Sequence, residues 1–283
     1  MFIFNKELNL KNYDCKKENQ DYRVCQPKIN LYLQTTPRCN GSCSFCDLRN
    51  HSKIFNFDKL KEIVKIMDDN NILGKIAISG GEPLLEIDRT IQIANTFQNY
   101  YVTLNTNGSL LKELKEVYPL VKEIDISKHH FKNSINDNIL KLKTYSLEDL
   151  YLNNLNEKIN INCVFQKNGL KTKEDLIQML EVMSKYNFKH LKAISLLPLT
   201  KQAKDNFINL NLMMDEFKTY LNNGILYDKD MCKCFEFLYV ANNGNIIKTT
   251  MRHTFDDNYS CIKQFVYDGE YLYNGFKKNN IIF

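Results

Sequence analysis

Nowhere in the 283 residues is there an apolar run near the roughly 20 residues that cross a bilayer. The opening, Met1-Phe2-Ile3-Phe4-Asn5-Lys6-Glu7, has too short an apolar stretch and no basic leader, so it does not read as a secretory signal. Both absences predict a cytoplasmic chain with no membrane partner. Blocks of one charge are missing as well. Net charge is +5, yet Lys, Asp, Glu and Asn are interspersed, and basic clusters stay as short as Lys16-Lys17. A nucleic-acid binder carries a basic stripe with interleaved aromatics, and its lack argues against RNA or DNA as substrate. What is present is 43% hydrophobic residues, enough for one large core, in a length that suggests one domain or two small ones. Nine cysteines in such a chain fit a reducing compartment, where thiols serve metals better than disulfides.

Three of those thiols fall in one short segment. Cys39, Cys43 and Cys46, in Pro37-Arg38-Cys39-Asn40-Gly41-Ser42-Cys43-Ser44-Phe45-Cys46, form a C-x3-C-x2-C triplet directly after the strand-like Ile29-Asn30-Leu31-Tyr32-Leu33. Four thiolates close a tetrahedral zinc site or fully ligate a cubane cluster, whereas three leave one iron of a [4Fe-4S] cluster open to a substrate or cofactor. A structural zinc site completed by His51 or a distant cysteine is the alternative. About 35 residues on comes Ile76-Ala77-Ile78-Ser79-Gly80-Gly81-Glu82-Pro83. Taken alone, this G-G-E-P could be only a strand-to-helix turn, with glycines for positive φ and a proline to start a helix.

In this order and spacing the two motifs resemble the signatures of the radical S-adenosylmethionine (SAM) superfamily, nearest its molybdenum-cofactor cyclase and SPASM/twitch peptide-modifying branch. The resemblance implies a [4Fe-4S] cluster on Cys39, Cys43 and Cys46, with SAM on the fourth iron. Reductive cleavage to a 5′-deoxyadenosyl radical and hydrogen abstraction from a peptide or small metabolite would follow. It also implies an oxygen-sensitive enzyme and a reductant partner such as flavodoxin or ferredoxin. By the same resemblance Gly80, Gly81, Glu82 and Pro83 hold the SAM ammonium, and Phe45 shields the cluster or faces the adenine, unless it is simple core. Thr106, in the T-N-G turn Thr106-Asn107-Gly108, faces SAM or substrate, and Ser127 offers SAM a hydroxyl. Asn107-Gly108 serves equally well as a plain turn, and Ser127 as a strand-end cap. His129 and His130 are the catalytic candidates, as proton donors or anion binders, because histidine titrates near neutrality; exposed loop residues are the other reading. His51, His190 and His253 carry no pattern and read as structural or surface.

Strand-like and helix-like segments alternate along the chain, the sign of βαβ units around a parallel sheet. Strands are expected at Ile29–Leu33, Lys75–Ser79, Tyr101–Asn105, Glu123–Ser127, Ile159–Phe165 and His190–Leu197. Between them, Asp58 can cap a helix with Leu60, Ile63, Val64 and Met67 on one face, and others run from about Asp88 to Phe97 and from about Leu110. Thr172-Lys173-Glu174-Asp175 opens a further capped helix with Leu176, Met179, Leu180 and Met183 inward. Six units are too few for a closed eight-unit barrel, so the predicted fold is α/β: an open partial (β/α)6 barrel over about 26–200. The cysteine loop, G-G-E-P, the T-N-G turn and Ser127-Lys128-His129-His130 all follow strand ends and should share one rim.

Residues 1–25 would be an N-terminal segment, too short for the leader-binding module of many peptide modifiers, and 201–283 a short C-terminal extension. There Leu238-Tyr239-Val240-Ala241-Asn242-Asn243-Gly244-Asn245-Ile246-Ile247 reads as a hairpin around an Asn-Gly turn, like a degenerate SPASM or twitch hairpin. Thr249-Thr250 stand where such extensions place a cysteine. Cys232, Cys234 and Cys261 could ligate an auxiliary iron–sulfur cluster, with Cys15 or Cys25 as a fourth ligand, or could be buried inert thiols. A glycyl-radical activase and a non-catalytic metal-binding module remain as alternatives to a modifying enzyme.

Overall fold

The computed structural model of the chain describes residues 2–4, 6–7, 29–46, 55–196, 200–210, 225–227, 234–252, 264–275 and 281–283. A small hairpin, β1 (Phe2–Ile3) with β2 (Lys6–Glu7), precedes the main body. There follow β3 (Ile29–Gln34), α1 (Phe57–Asp69), β4 (Leu73–Ser79), α2 (Ile87–Thr96), β5 (Val102–Thr106), α3 (Leu111–Val117) and β6 (Glu123–Ser127). Next come α4 (Asn133–Leu140), α5 (Leu147–Leu152), β7 (Ile159–Phe165), α6 (Lys173–Lys185), β8 (His190–Ser195) and α7 (Lys201–Asn206). The last part holds β9 (Ile225–Tyr227), β10 (Cys234–Val240), β11 (Ile246–Arg252), β12 (Gln264–Tyr267) and β13 (Leu272–Asn274).

All but β1 and β2 form one 11-stranded sheet in the order β13-β12-β3-β4-β5-β6-β7-β8-β11-β10-β9. Its centre is the expected run of six consecutive parallel strands, β3 to β8. The C-terminal strands extend it at both edges. β11 adds in parallel beside β8 and β12 in parallel beside β3, each then flanked by an antiparallel neighbour. The sheet does not close.

Strand sequences explain which face is which. In β7, Ile159, Ile161, Cys163 and Phe165 are buried, while Asn160 and Asn162 take the other face. Register carries that alternation across the sheet: Asp125 pairs with Asn160, and Ser127 with Asn162, Lys192 and Thr250. Parallel strands buried on both faces read as unbroken apolar runs. These instead have one apolar face under the helices and one polar face lining the concave lumen. α6 packs the apolar side through Leu176, Met179, Leu180 and Met183, each wholly buried and worth about 1.5–3 kcal/mol. It starts at a capping box, with Thr172 Oγ1 accepting from Asp175 N–H and Asp175 Oδ2 from Thr172 N–H.

On the polar face Lys192 Nζ donates to Asp125 at 2.6 Å and to Glu123 at 3.3 Å, and Asn160 Nδ2 donates to Asp125 at 3.1 Å. Burial pushes Asp125 up, but Lys192 and Lys75 outweigh it and hold the carboxyl below its ordinary value. His190, half-buried beside Lys192 and Lys248, is pushed down to about 4 chiefly by burial, and its Nε2 lies 2.9 Å from Thr250 Oγ1.

Several boundaries differ from the sequence reading. α1 is capped by Asn56, whose side chain accepts from Lys59 N–H, and Asp58 sits in the first turn, where its charge suits the helix dipole. A 3₁₀ turn, Pro83–Glu86, comes before α2, and α4 and α5 fill a stretch in which no helix was expected. The Asn-Gly hairpin is present: β10 pairs with β11, Gly244 has φ +82°, and Gly244 N–H donates to Ala241 O at 2.9 Å.

Candidate active site

The cysteine loop leaves β3 and is pinned at its base to the end of β4. Thr35 N–H donates to Ser79 O at 2.9 Å, Gly81 N–H to Thr36 O at 2.7 Å, and Glu82 N–H to Arg38 O at 2.8 Å. This approach explains the double glycine. A Cβ on Gly80 (φ +130°) would lie 2.7 Å from Thr36 O, and one on Gly81 only 2.1 Å from Arg38 O, both against backbone that cannot swing away.

Glu82 then turns inward and is 0% exposed. Its Oε1 accepts from Thr106 Oγ1 at 2.8 Å and Leu84 N–H at 3.1 Å, and its Oε2 from Asn107 N–H at 2.8 Å. Burial pushes the carboxyl up to about 6 against the pull of those donors. Thr106 also accepts from Gly108 N–H at 3.2 Å, so G-G-E-P and the T-N-G turn are one hydrogen-bonded unit. Pro83 is buried, and its carbonyl accepts from Thr90 Oγ1 at 2.8 Å.

The loop itself bridges the mouth of the lumen. Asn40 meets Asn107 and Ser109 beyond β5, Ser42 N–H donates to Leu140 O at 2.9 Å, and Thr200, the cap of α7, donates to Ser44 O at 3.3 Å. Cys39 is exposed, Cys43 and Cys46 are half-buried, and none of the three is in a disulfide. Burial pushes the Cys39 thiol up; Gly41 N–H, 3.3 Å from the sulfur, draws it down, and nearby Glu82 and Cys46 raise it further. Among the described residues no three His, Cys, Asp or Glu side chains converge on one metal ion. Three thiols on one loop can give one thiolate to each of three irons of a cubane cluster and leave the fourth iron open. The zinc alternative's extra ligand, His51, lies outside the described residues.

Phe45 packs edge-on against His129, ring centroids 5.5 Å apart, which brings the loop beyond β6 to the same place. His129 is 3% exposed, and burial, with the Lys128 charge, pushes it down to about 4. Its Nδ1 accepts from Val164 N–H at 3.0 Å, so the neutral ring carries its proton on Nε2. It therefore offers a neutral donor rather than an imidazolium. His130 is tied into the loop by Lys132 N–H, which donates to its Nδ1 at 2.9 Å, and packs on Phe131; burial lowers it too. Ser127 ends β6, half-buried and level with Asn162.

Two side chains here were not singled out from sequence. Lys128 is buried, donates to Asn133 Oδ1 and Thr144 Oγ1 at 2.8 Å each and to the Tyr145 carbonyl, and is held down to about 8 by burial. Asn107 contacts both the cysteine loop and Glu82. A buried lysine is unreadable without tertiary structure, whereas Asn107 sat beside a residue already chosen. Of the C-terminal thiols, Cys234 opens β10 opposite Arg252, itself level with Ile194 of β8. Cys15, Cys25, Cys232 and Cys261, like His253, lie outside the described residues.

Fold and site together define an open parallel barrel that gathers three thiols, a buried carboxylate and a neutral imidazole at the carboxyl ends of its strands. The family model for the radical SAM superfamily matches residues 33–202, more than half of the chain, and the chain belongs to that superfamily. Among curated proteins it is 29% identical over 178 residues to GTP 3′,8-cyclase of Staphylococcus aureus (strain Mu3), covering 56% of this chain and 52% of that one. It is 28% identical over 191 residues to GTP 3′,8-cyclase of Clostridium perfringens (strain SM101), covering 62% and 57%. The chain thus spans little more than half the length of these relatives. Among solved structures, SuiB of Streptococcus suis bound to S-adenosylmethionine aligns over 68% of this chain and 47% of its own, at 18% identity and a TM-score of 0.55. A radical SAM methyltransferase from Sphaerobacter thermophilus aligns over 78% and 64%, at 14% identity and a TM-score of 0.54. Both likenesses are of fold. Among the described residues no helix is long and apolar enough to cross a membrane.

Proposed function

We propose that the protein is a radical SAM enzyme that modifies a peptide or small polar metabolite held in the lumen. The observation that carries this is the meeting of four strand-end loops around Glu82, Asn107, Phe45 and the three thiols. Cys39, Cys43 and Cys46 would hold a [4Fe-4S] cluster, which when bound supplies the electron for reductive cleavage of SAM to methionine and a hydrogen-abstracting 5′-deoxyadenosyl radical. Gly80 and Gly81 keep the end of β4 against the cysteine loop, and Glu82 offers the SAM ammonium a carboxylate whose Oε2 accepts from Asn107 N–H. Phe45 and His129 exclude water from the radical's side of the loop, and Ser127 adds a hydroxyl.

On the polar face Lys192 pairs with Glu123 and Asp125 and Lys248 with Glu236, and the Lys75 charge also lowers Glu123 and Asp125, so three cations stand against three carboxylates. That suits a substrate of balanced charge, such as a peptide side chain, better than a nucleoside triphosphate. SuiB is known in complex with its precursor peptide SuiA, and we extend a peptide substrate to this chain on that charge argument. An auxiliary cluster on Cys232, Cys234 and Cys261 is a further part of the proposal, since the register of β10 sets Cys234 level with the carboxyl end of β8. A flavodoxin or ferredoxin would be the electron donor.

The test is iron, sulfide and zinc content after anaerobic reconstitution, with 5′-deoxyadenosine release on chemical reduction. Wild type and a Cys39→Ala/Cys43→Ala/Cys46→Ala variant are compared. Near four irons and SAM cleavage in wild type, with cleavage gone from the variant, is the expected result. Residual iron in the variant supports the auxiliary cluster. Zinc in place of iron overturns the reading.

A further inference from the structure

Lys128 is buried at the rim, yet its ammonium has no hydrogen left to offer a substrate. The group has three. They go to Asn133 Oδ1 and Thr144 Oγ1, at 2.8 Å each, and to the Tyr145 carbonyl, all neutral acceptors. Thr144 Oγ1 takes a second hydrogen bond from Asn136 Nδ2 at 3.1 Å and gives its own hydrogen to Asp137 Oδ1 at 2.7 Å. Asn133 Nδ2 donates to Thr144 O at 2.8 Å, and Asn136 Oδ1 accepts from His129 N–H at 2.8 Å. Tyr145 N–H donates to Gly108 O, in the T-N-G turn, at 3.2 Å.

This network fixes the turn that closes α4. There Lys141 is left-handed (φ +53°), and Leu142 N–H returns to Asp137 O at 3.1 Å. The middle of the cysteine loop rests on that turn. Leu140 O accepts from Ser42 N–H at 2.9 Å and lies 3.9 Å from Cys43 Sγ. A Cβ on Gly41 would stand 3.2 Å from the same carbonyl and 3.8 Å from Leu142 Cδ2. Lys128 is thus joined to the cysteine loop through Thr144, Asp137 and Leu140, and to the turn that holds Glu82 through Tyr145 and Gly108.

We propose that Lys128 is a positioning residue whose ammonium sets the last turn of α4 as the seat of the cysteine loop and keeps that loop in register with Glu82, an inference that rests on the cluster and SAM reading above. A misplacement of about 1 Å, from a change far from the chemistry, can cost about 100-fold in rate.

Lys128→Met removes the ammonium and keeps the length of the stem. Thr144→Val removes the hydroxyl that joins Lys128 to Asp137 and leaves Lys128 in place. Leu180→Ala, in the core packed by α6, lowers stability outside the network and serves as the comparison. Each is reconstituted anaerobically, and iron is counted. Release of 5′-deoxyadenosine is measured at saturating SAM on chemical reduction, beside the thermal melt and the electron paramagnetic resonance signal of the reduced cluster with and without SAM. In Lys128→Met with wild-type iron content, release should fall about tenfold or more and the change that SAM induces in the signal should be altered. Leu180→Ala, at an equal or larger loss of melting temperature, should stay within twofold of wild type. Thr144→Val should follow Lys128→Met by a smaller factor, and it carries the test if Lys128→Met does not fold or retain iron. Iron-replete Lys128 and Thr144 variants that stay within twofold of wild type and keep its signal overturn the positioning role and leave the cluster assignment standing, as does a Leu180→Ala that falls as far as they do. Wild type that takes up no iron, or releases no 5′-deoxyadenosine, overturns both.

Discussion

Removing the Thr106 hydroxyl should destabilise the protein by an amount that depends on pH in a definite direction. Thr106→Val keeps the side-chain shape, but Glu82 Oε1 loses one of its two donors and Gly108 N–H loses its acceptor. Burial lifts Glu82 from 4.5 to about 6, so between those values the folded protein holds the proton more tightly than the unfolded chain does. Glu82's contribution is fully present below pH 4.5 and is lost as pH rises through about 6; above that, the buried charge costs about 2 kcal/mol. A hydrogen bond to an ionised group contributes about 1.5–3 kcal/mol, and one between neutral groups about 0.5–1.5 kcal/mol. The loss in Thr106→Val should therefore be about 1 kcal/mol larger at pH 8 than at pH 5. Urea unfolding at the two pH values, under anaerobic reducing conditions, measures this. Glu82→Gln serves as a background in which the pH dependence disappears. An equal loss at both pH values, or a greater loss at pH 5, refutes the account of Glu82 as a buried, hydrogen-bonded carboxyl.

Gly81→Ala puts a methyl 2.1 Å from Arg38 O; the base of the cysteine loop must shift, at a cost of about 1–3 kcal/mol. A thermal melt and an iron assay should both fall, and a variant with wild-type melting and full iron content would show that the loop has slack. Lys192→Met leaves Asp125 without the ammonium 2.6 Å away and should cost about 3–5 kcal/mol in denaturant unfolding; a loss below about 1 kcal/mol would mean that the lumen solvates the pair. SAM affinity of the reconstituted protein should weaken by about tenfold from pH 7.5 to pH 5, because protonated Glu82 no longer attracts an ammonium. A flat equilibrium-binding profile would remove Glu82 from the SAM site.

The parallel core was legible because β3 to β8 each carry an apolar alternation bounded by turn residues, and because Thr172 and Asp175 spell out a capping box. The shared rim followed from chain order alone. Other features depended on pairing that a single sequence does not encode. Nothing local says that Gln264–Tyr267 joins β3 on one edge while Ile246–Arg252 joins β8 on the other. A hairpin signal was nonetheless present there: Asp268-Gly269 sits between Phe265-Val266-Tyr267 and Tyr271-Leu272-Tyr273, and Gly269 has φ +104°. α5 was equally readable, since Ser146 and Asp149 form a capping box. Proton states were not readable. His129 looks like a titrating group in sequence and becomes a neutral donor only once buried against Phe45 and Val164 N–H.

Six parallel strands leave two edges with unpaired backbone, and such edges must be covered or they recruit other chains. Here the chain after α7 covers both, with β11 beside β8 and β12 beside β3, and that choice also shapes the lumen. β11 sets Lys248 and Thr250 on the polar face next to His190 and Lys192, and β10 contributes Glu236 as the partner of Lys248 at 2.9 Å. The motifs proposed to hold the cluster and SAM lie between Cys39 and Ser127, on the first four of the six central strands and their loops. The other side of the sheet's polar face comes from β7, β8, β11 and β10, which carry none of these motifs. Substitutions along β10 and β11 should therefore alter which substrate is accepted without altering SAM cleavage, because they touch the lumen and none of the loops that hold Glu82 and the three thiols.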